Sequence, residues 1–267
     1  GGWWQWQDSP ETPDSCDGVM GTQPYLALDA YGAEYQQVAA QHYRYAQMAA
    51  LAYGRASRAF ELPAGVRRID VDRGAGLQVS IFEWPAEPPQ EGPAEVVVAF
   101  RGTDEWLDWL DGNLLDTQYE HADALMAELL RQYRRGPAPP RIVAVGHSLG
   151  GGLALHASYS FADVAAVVFN PSYRIHRGAR VHDSPRVVIG ETGDILQIQR
   201  VAWINPQHAR YYERFYCTET NNHGIYLLAR CLTHVAALNE PAARQSLLDN
   251  PSPQCQARNR SAALGVR

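Results

Sequence analysis

The sequence predicts one α/β domain built on a largely parallel central sheet flanked by helices. Three observations carry that prediction. Short, wholly apolar runs recur at 96–100, 142–145 and 164–169, the composition of strands covered on both faces. Segments with helical character lie between them, as the crossovers of parallel strands require. No repeat or linker splits the 267 residues, which fall within the range of one large α/β domain.

Taken in order, residues 1–24 are rich in Trp, Gln, Pro and Asp without periodicity, and are expected to form an irregular N-terminal arm. Residues 34–53 are alanine-rich and free of Pro and Gly, a helix ended by Gly54. At 77–84, Leu77, Val79 and Ile81 alternate with Gln78 and Ser80, the pattern of a half-buried strand, and a proline-rich loop follows at 85–93. Residues 96–100 make the first fully covered strand. Ala122, Leu125, Met126, Leu129, Leu130 and Tyr133 form one helical stripe within a helix at about 120–135, stopped by Gly136-Pro137. The strand at 142–145 leads directly into a small-residue helix at 149–160, and strands follow at 164–169 and 187–190. A helix is expected at 225–238, and a peripheral tail from about 251 to 267.

The composition narrows the partners. A formal net charge of −6 gives no basic field for nucleic acid. All 23 basic residues are arginine, a bias that points to no function. No apolar run approaches the roughly 18–20 residues that span a bilayer, so no transmembrane segment is expected and contact with a membrane is expected to be transient and superficial. Cys16, Cys217, Cys231 and Cys255 contain no C-x-x-C pair, which argues against zinc. An even cysteine count favours a secreted or periplasmic protein, with four buried thiols in the cytoplasm as the alternative. The start at Gly1 without methionine is compatible with a removed leader. The pattern is silent on oligomeric state.

Gly146-His147-Ser148-Leu149-Gly150 carries the chemistry. Gly-x-Ser-x-Gly is short, but here it follows an apolar strand and opens a helix, the context the chemistry needs. A tight strand-to-helix turn lifts the Ser148 hydroxyl off the sheet, and the positive end of the next helix faces a developing oxyanion. Ser148 is therefore the expected nucleophile. It needs a base oriented by an acid, in the chain order serine, acid, histidine. Asp194 follows a strand in Gly193-Asp194 and is the preferred acid, with Asp183 and Glu191 as rivals. His223, in the polar turn Asn221-Asn222-His223-Gly224, is the preferred base, with His208 and His234 as rivals. His147 adjoins the nucleophile, and neighbouring side chains at a sharp turn diverge, so it is expected to pack below the turn. One oxyanion donor is the amide of Leu149. The other is expected from Thr103, in Phe100-Arg101-Gly102-Thr103, where a plain helix-capping turn is the competing reading. Trp106, Trp109 and Leu110 share one helical face and either wall an acyl pocket, form a short lid or pack as core.

Phe-Arg-Gly-Thr at 100–103, Asp108-Trp109, Asn113-Leu114 and Gly-His-Ser-Leu-Gly-Gly at 146–151 together resemble the class 3 lipases, the fungal lipase-like branch of the α/β-hydrolase fold. The resemblance runs from about 96 to 238. It implies metal-free and cofactor-free hydrolysis of acylglycerols or related lipids, with Ser148, Asp194 and His223 as triad and Thr103 and Leu149 as oxyanion positions. Phe169-Asn170-Pro171 resembles a looser form of the family's Phe-Gly-x-Pro. The chain departs from the family in its compact Ser148–Asp194–His223 intervals and in lacking a long apolar lid before the helix at 120–135, which counts against interfacial activation and a triglyceride preference.

The function expected is thus a serine hydrolase acting on carboxylic esters of lipids, as lipase, esterase or phospholipase. The alternatives are a catalytically idle hydrolase-like binding module and an acyltransferase using the same triad. Arg174, Arg177, Arg180 and Arg186 read as a solvated charged face, with contact to phosphate headgroups as the other reading. A Cys217–Cys231 bridge would enclose His223, leaving Cys16 to pair with Cys255.

Overall fold

A computed structural model describes residues 31–54, 60–101, 112–172, 181–192, 209–215 and 224–251, excepting the side chains of 112–115. Its elements run α1 (Ala33–Leu51), β1 (Arg67–Asp72), β2 (Gln78–Pro85), β3 (Pro93–Arg101), α2 (Gly112–Tyr133), β4 (Arg141–His147), α3 (Leu149–Ser160), β5 (Val164–Phe169), β6 (Arg186–Glu191), β7 (Arg210–Phe215), α4 (Ile225–Ala237) and α5 (Pro241–Asp249). The strands form one sheet in sequence order, β1 to β7. β1, β2 and β3 pair antiparallel, whereas β3 through β7 are parallel.

That order decides which face each helix covers. Right-handed crossovers that always step in one direction put their helices on one face. Accordingly α2 and α3 share a core with Val96, Val98 and Phe100 of β3 and Ile142 and Ala144 of β4. The opposite residues, Val97, Ala99, Val143 and Val145, pack with α1, α4 and α5. The uninterrupted apolar runs of β3, β4 and β5 are thus spent on two cores, one per face.

The expected fold class holds, and so do most of its elements. α3 and β5 fall on the expected residues, and the stripe from Ala122 to Leu130 is buried. Helix α2 begins at Gly112, earlier than its apolar stripe. β2 departs further, because Val79, Ser80, Ile81 and Phe82 are all buried and the strand is not half-exposed. Its alternation misleads because Ser80 is a buried polar residue, donating to Asp70 Oδ1 at 2.7 Å.

Among the described residues, the elements without an apolar signature are β1 and β7, the edges of the described sheet, and the short α5. Edge strands carry charge, which blunts their unpaired side. Arg67 of β1, for example, meets Glu83 at 3.4 Å. In α5, a proline opens the helix and only Ala243, Ser246 and Leu247 are buried.

Polar contacts fix the helices to the sheet and to each other. Gln47 of α1 donates from Nε2 to Thr233 Oγ1 of α4 at 3.1 Å and to Ser246 Oγ of α5 at 3.0 Å. Arg186 is buried, donating to Ser158 Oγ at 3.1 Å and the His182 carbonyl at 2.9 Å, with its guanidinium over the Tyr159 ring. Arg186 therefore belongs neither to a solvated face nor to a headgroup site, because desolvation has been met by internal acceptors. Arg174, Arg177 and Arg180 lie outside the described residues.

On each face a tyrosine joins helix to sheet through a carboxylate. Tyr45 of α1 donates to Glu95 Oε1 at 2.6 Å, and Tyr133 of α2 lies beside the Glu83 carboxylate. Burial, then the nearby carboxylate, raises both phenols, Tyr133 to about 12. A phenol raised on folding contributes stability that is full below the unfolded value of about 10 and lost as pH climbs through the folded value. Denaturant midpoints are therefore expected to hold up to pH 10 and fall towards pH 12. Tyr45→Phe with Tyr133→Phe should flatten that decline, and an unchanged slope in the double variant would discount the two tyrosine–carboxylate contacts.

No helix of the described residues is long and apolar enough to cross a membrane.

Candidate active site

Strand β4 ends at His147, helix α3 begins at Leu149, and Ser148 alone makes the turn between them. Its backbone sits at φ 57°, ψ −121°, a conformation that costs an L-residue on the order of 1–3 kcal/mol. The surroundings over-determine it. The Ser148 N–H donates to the Phe169 carbonyl at 3.1 Å, and its carbonyl accepts from Gly152 at 3.2 Å and Ser172 at 2.8 Å. The side chain makes no capping bond to the helix, so the hydroxyl is not spent on stabilising α3.

The glycines around Ser148 are there for space. A Cβ on Gly146 would stand 2.3 Å from the Gly150 carbonyl, and one on Gly150 would stand 2.1 Å from the Phe100 carbonyl oxygen. The first turn of α3 therefore lies directly on the ends of β4 and β3. A Cβ on Gly151 would come within 2.9 Å of Pro171, so this glycine admits the chain leaving β5. The amides that open α3, Leu149 first, have no acceptor within the helix, the general condition of a helix start and the source of its affinity for negative charge.

Asn170, after β5, takes φ 42°, within reach of the left-handed region that Asn tolerates better than most residues. It occupies the position where the resembled motif carries glycine. Its N–H donates to the Ile189 carbonyl at 2.9 Å, and its Oδ1 accepts from the Glu191 N–H at 3.1 Å. The ends of β5 and β6 are thereby held together beside Ser148.

His147 is buried, and its Nδ1 lies 2.6 Å from the Tyr53 hydroxyl. Tyr53 in turn accepts at its carbonyl from Arg101 Nη1 at 3.0 Å. Nothing in the sequence marked Tyr53. The helix stop at Gly54 was the only nearby signal.

Among the rivals for the acid, Asp183 is exposed and precedes β6, at the sheet edge opposite Ser148. Glu191 is buried at the end of β6, on the same edge as Ser148. His234 is buried within α4. Asp194, His208, His223, Thr103, Trp106, Trp109 and Leu110 lie outside the described residues. In sequence, the described residues come within one or two positions of Asp194, His223 and Thr103. Thr192 precedes Asp194 by two residues, Gly224 (the N-cap of α4) follows His223, and Arg101 ends β3 two residues before Thr103. Cys231 of α4 is disulfide-bonded.

Comparison with known proteins bears on this site. Residues 26–179 match the model of a phospholipase-like family, the Tle-like phospholipase domain. A curated relative, the extracellular phospholipase A1 of Serratia liquefaciens, is 33% identical over 99 residues, which is 37% of this chain and 28% of the relative. The chain thus matches little more than a quarter of that relative's length. Among solved structures, a mutant form of MDLA from Penicillium cyclopium gives a TM-score of 0.43 at 15% identity, covering 72% of this chain and 83% of that one. The Rhizomucor miehei lipase–propeptide complex gives 0.41 at 15% identity, covering 70% of each. The family match spans both the Phe-Arg-Gly-Thr strand and the Ser148 turn, and it covers more than half of the 267 residues. The chain belongs to the Tle-like phospholipase domain family.

Proposed function

We propose that this chain is a single-domain serine hydrolase that cleaves carboxylic esters of lipids, phospholipids foremost, through an acyl-enzyme on Ser148. The observation that carries the proposal is the strained backbone of Ser148 between β4 and α3. An isolated Gly-x-Ser-x-Gly in an ordinary turn would have no reason to maintain that cost. Family membership supplies the lipid, and the Serratia relative's name supplies the phospholipid.

In the proposed reaction His223 takes the Ser148 proton as the hydroxyl oxygen attacks the ester carbonyl. The oxyanion is held by the amides of Leu149 and Thr103. His223 then gives the proton to the departing alcohol, and the bond between carbonyl carbon and alcohol oxygen breaks. Water, deprotonated by the same imidazole, attacks the acyl-enzyme carbonyl. The bond from the carbonyl carbon to Ser148 Oγ breaks, the imidazolium returns its proton to that oxygen, and the fatty acid leaves. Asp194 keeps the imidazole oriented throughout. Trp106, Trp109 and Leu110 are proposed to wall the acyl chain. No metal or cofactor enters this scheme.

Location outside the cytoplasm is part of the proposal. It is supported by the disulfide at Cys231 and by the extracellular relative. Cys217 is the proposed partner of Cys231, a bridge that would enclose His223.

The test is reaction of the folded protein with a fluorophosphonate probe, followed by peptide mapping. Phosphonylation is expected at Ser148, together with fatty-acid release from phosphatidylcholine in preference to triolein. Absence of label on Ser148 would sink the enzyme reading. Label without fatty-acid release, but with acyl transfer to an added alcohol, would redirect it to acyl transfer.

A further inference from the structure

We propose that Tyr53 is a positioning residue that sets the nucleophile turn against the end of β3, an inference that rests on Ser148 being the nucleophile.

The need arises from where the sheet ladder stops. β3 and β4 pair in register from Glu95↔Arg141 to Phe100↔Gly146, and no further. Arg101 and His147 are the next residue on each strand. One immediately precedes Gly102-Thr103, the proposed oxyanion segment, and the other immediately precedes Ser148. The ladder between these two strands thus ends just before the two groups whose separation decides catalysis.

Tyr53 spans that gap. It lies beyond the end of α1, where its N–H still donates to the Ala50 carbonyl at 3.2 Å, and its side chain is buried. Gly54 follows at φ 68°. The Tyr53 hydroxyl meets His147 Nδ1 at 2.6 Å, with the two rings 5.7 Å apart and edge-on. Its carbonyl accepts from Arg101 Nη1 at 3.0 Å, and its ring lies 5.4 Å below the Arg101 guanidinium. Arg101 is further held by Gln78 Oε1 of β2 at 2.9 Å. One residue, through its hydroxyl, its ring and its carbonyl, therefore grips both strand ends past the last registered pair.

Tyrosine suits the role on chemical grounds. It has a rigid face for the planar cation, a hydroxyl at the far end for the imidazole, and only two side-chain torsions to freeze. Phenylalanine would keep the face and lose the hydroxyl. The resulting freedom would fall on His147, and through one peptide unit on Ser148. Small displacements of a reacting group from its productive position are costly in rate, up to about a hundredfold per ångström.

The experiment measures kcat and KM on a short-chain p-nitrophenyl ester, the rate of phosphonylation at Ser148, and the melting temperature. Wild type, Tyr53→Phe, Arg101→Lys and Ser148→Ala are compared. Tyr53→Phe is expected to lower kcat and the phosphonylation rate together, by about tenfold, with KM within about twofold. Arg101→Lys keeps the charge but loses the planar stack, and should show the same split. That second variant carries the test if Tyr53→Phe does not fold. A folded Tyr53→Phe with wild-type kcat and labelling rate overturns the inference alone, as does a loss confined to KM. A wild-type protein that neither hydrolyses the ester nor takes the probe overturns the functional reading, and this inference with it.

Discussion

Ser148→Gly is expected to abolish ester hydrolysis while making the protein more stable. Loss of the proposed nucleophile should lower kcat by roughly 10⁴- to 10⁶-fold, leaving only what the oxyanion donors and binding supply. Glycine occupies positive φ without the Cβ clash, so the strain at φ 57° is released. Part of that gain, about 0.5–1 kcal/mol, is returned as greater freedom of the unfolded chain. The net expectation is near 1 kcal/mol, or about 2–4 °C in melting temperature for a chain of this size. Ser148→Ala separates the two effects. It removes the hydroxyl but keeps a Cβ at positive φ, so it should be equally inactive without the stability gain. A glycine variant that melts below the alanine variant by the equivalent of about 0.5–1 kcal/mol would show that the turn stores no strain.

Gly150→Ala should be the most damaging single methyl in this region. The added carbon would lie 2.1 Å from the Phe100 carbonyl oxygen, 2.9 Å from its carbon and 3.3 Å from the Arg101 Cα. All three neighbours are backbone, so no side chain can swing aside. The start of α3 must lift off β3, or β3 must bend, and either shift moves Leu149 relative to the strand that leads to Thr103. Overpacking of this kind costs about 3 kcal/mol or more, a fall of roughly 6–12 °C. Activity is expected to fall more steeply than stability, because the Leu149 amide moves with the helix. Gly146→Ala, 2.3 Å from the Gly150 carbonyl, should behave alike. Gly136→Ala is the control, since nothing lies within 4 Å of its Cβ position. Thermal melts of the three variants decide the matter, and a Gly150→Ala protein that melts with wild type would refute the contact.

The interior of the fold was legible because its physics is local. Val96 to Phe100, Ile142 to Val145 and Val164 to Phe169 are apolar at every position, and runs this short suit strands buried on both faces. The Ser148 turn was legible for a related reason, since two glycines and a helix start must be adjacent in the chain to make it. β1 and β7 were not legible. Both are edges of the described sheet, and in Arg67-Arg68-Ile69-Asp70-Val71-Asp72 four of the six residues are charged, which leaves only Ile69 and Val71 as apolar signal. Ser80 concealed the full burial of β2, and Arg186 was misread as a surface charge. In both cases the compensating partner, Asp70 or Ser158 and His182, is visible only in three dimensions.

The sequence by itself determined the strand cores, the helix stripes and the turn that presents Ser148, because each depends on residues within one or two turns of each other. Only the tertiary structure decided that the strands lie in sequence order, and hence that α2 and α3 share a face. It alone placed Tyr53 against His147, 94 residues away. Periodicity encodes what a segment buries but not what it is buried against. That choice is made by sheet order and crossover handedness, which bring the end of α1 to the edge where β3 and β4 stop pairing.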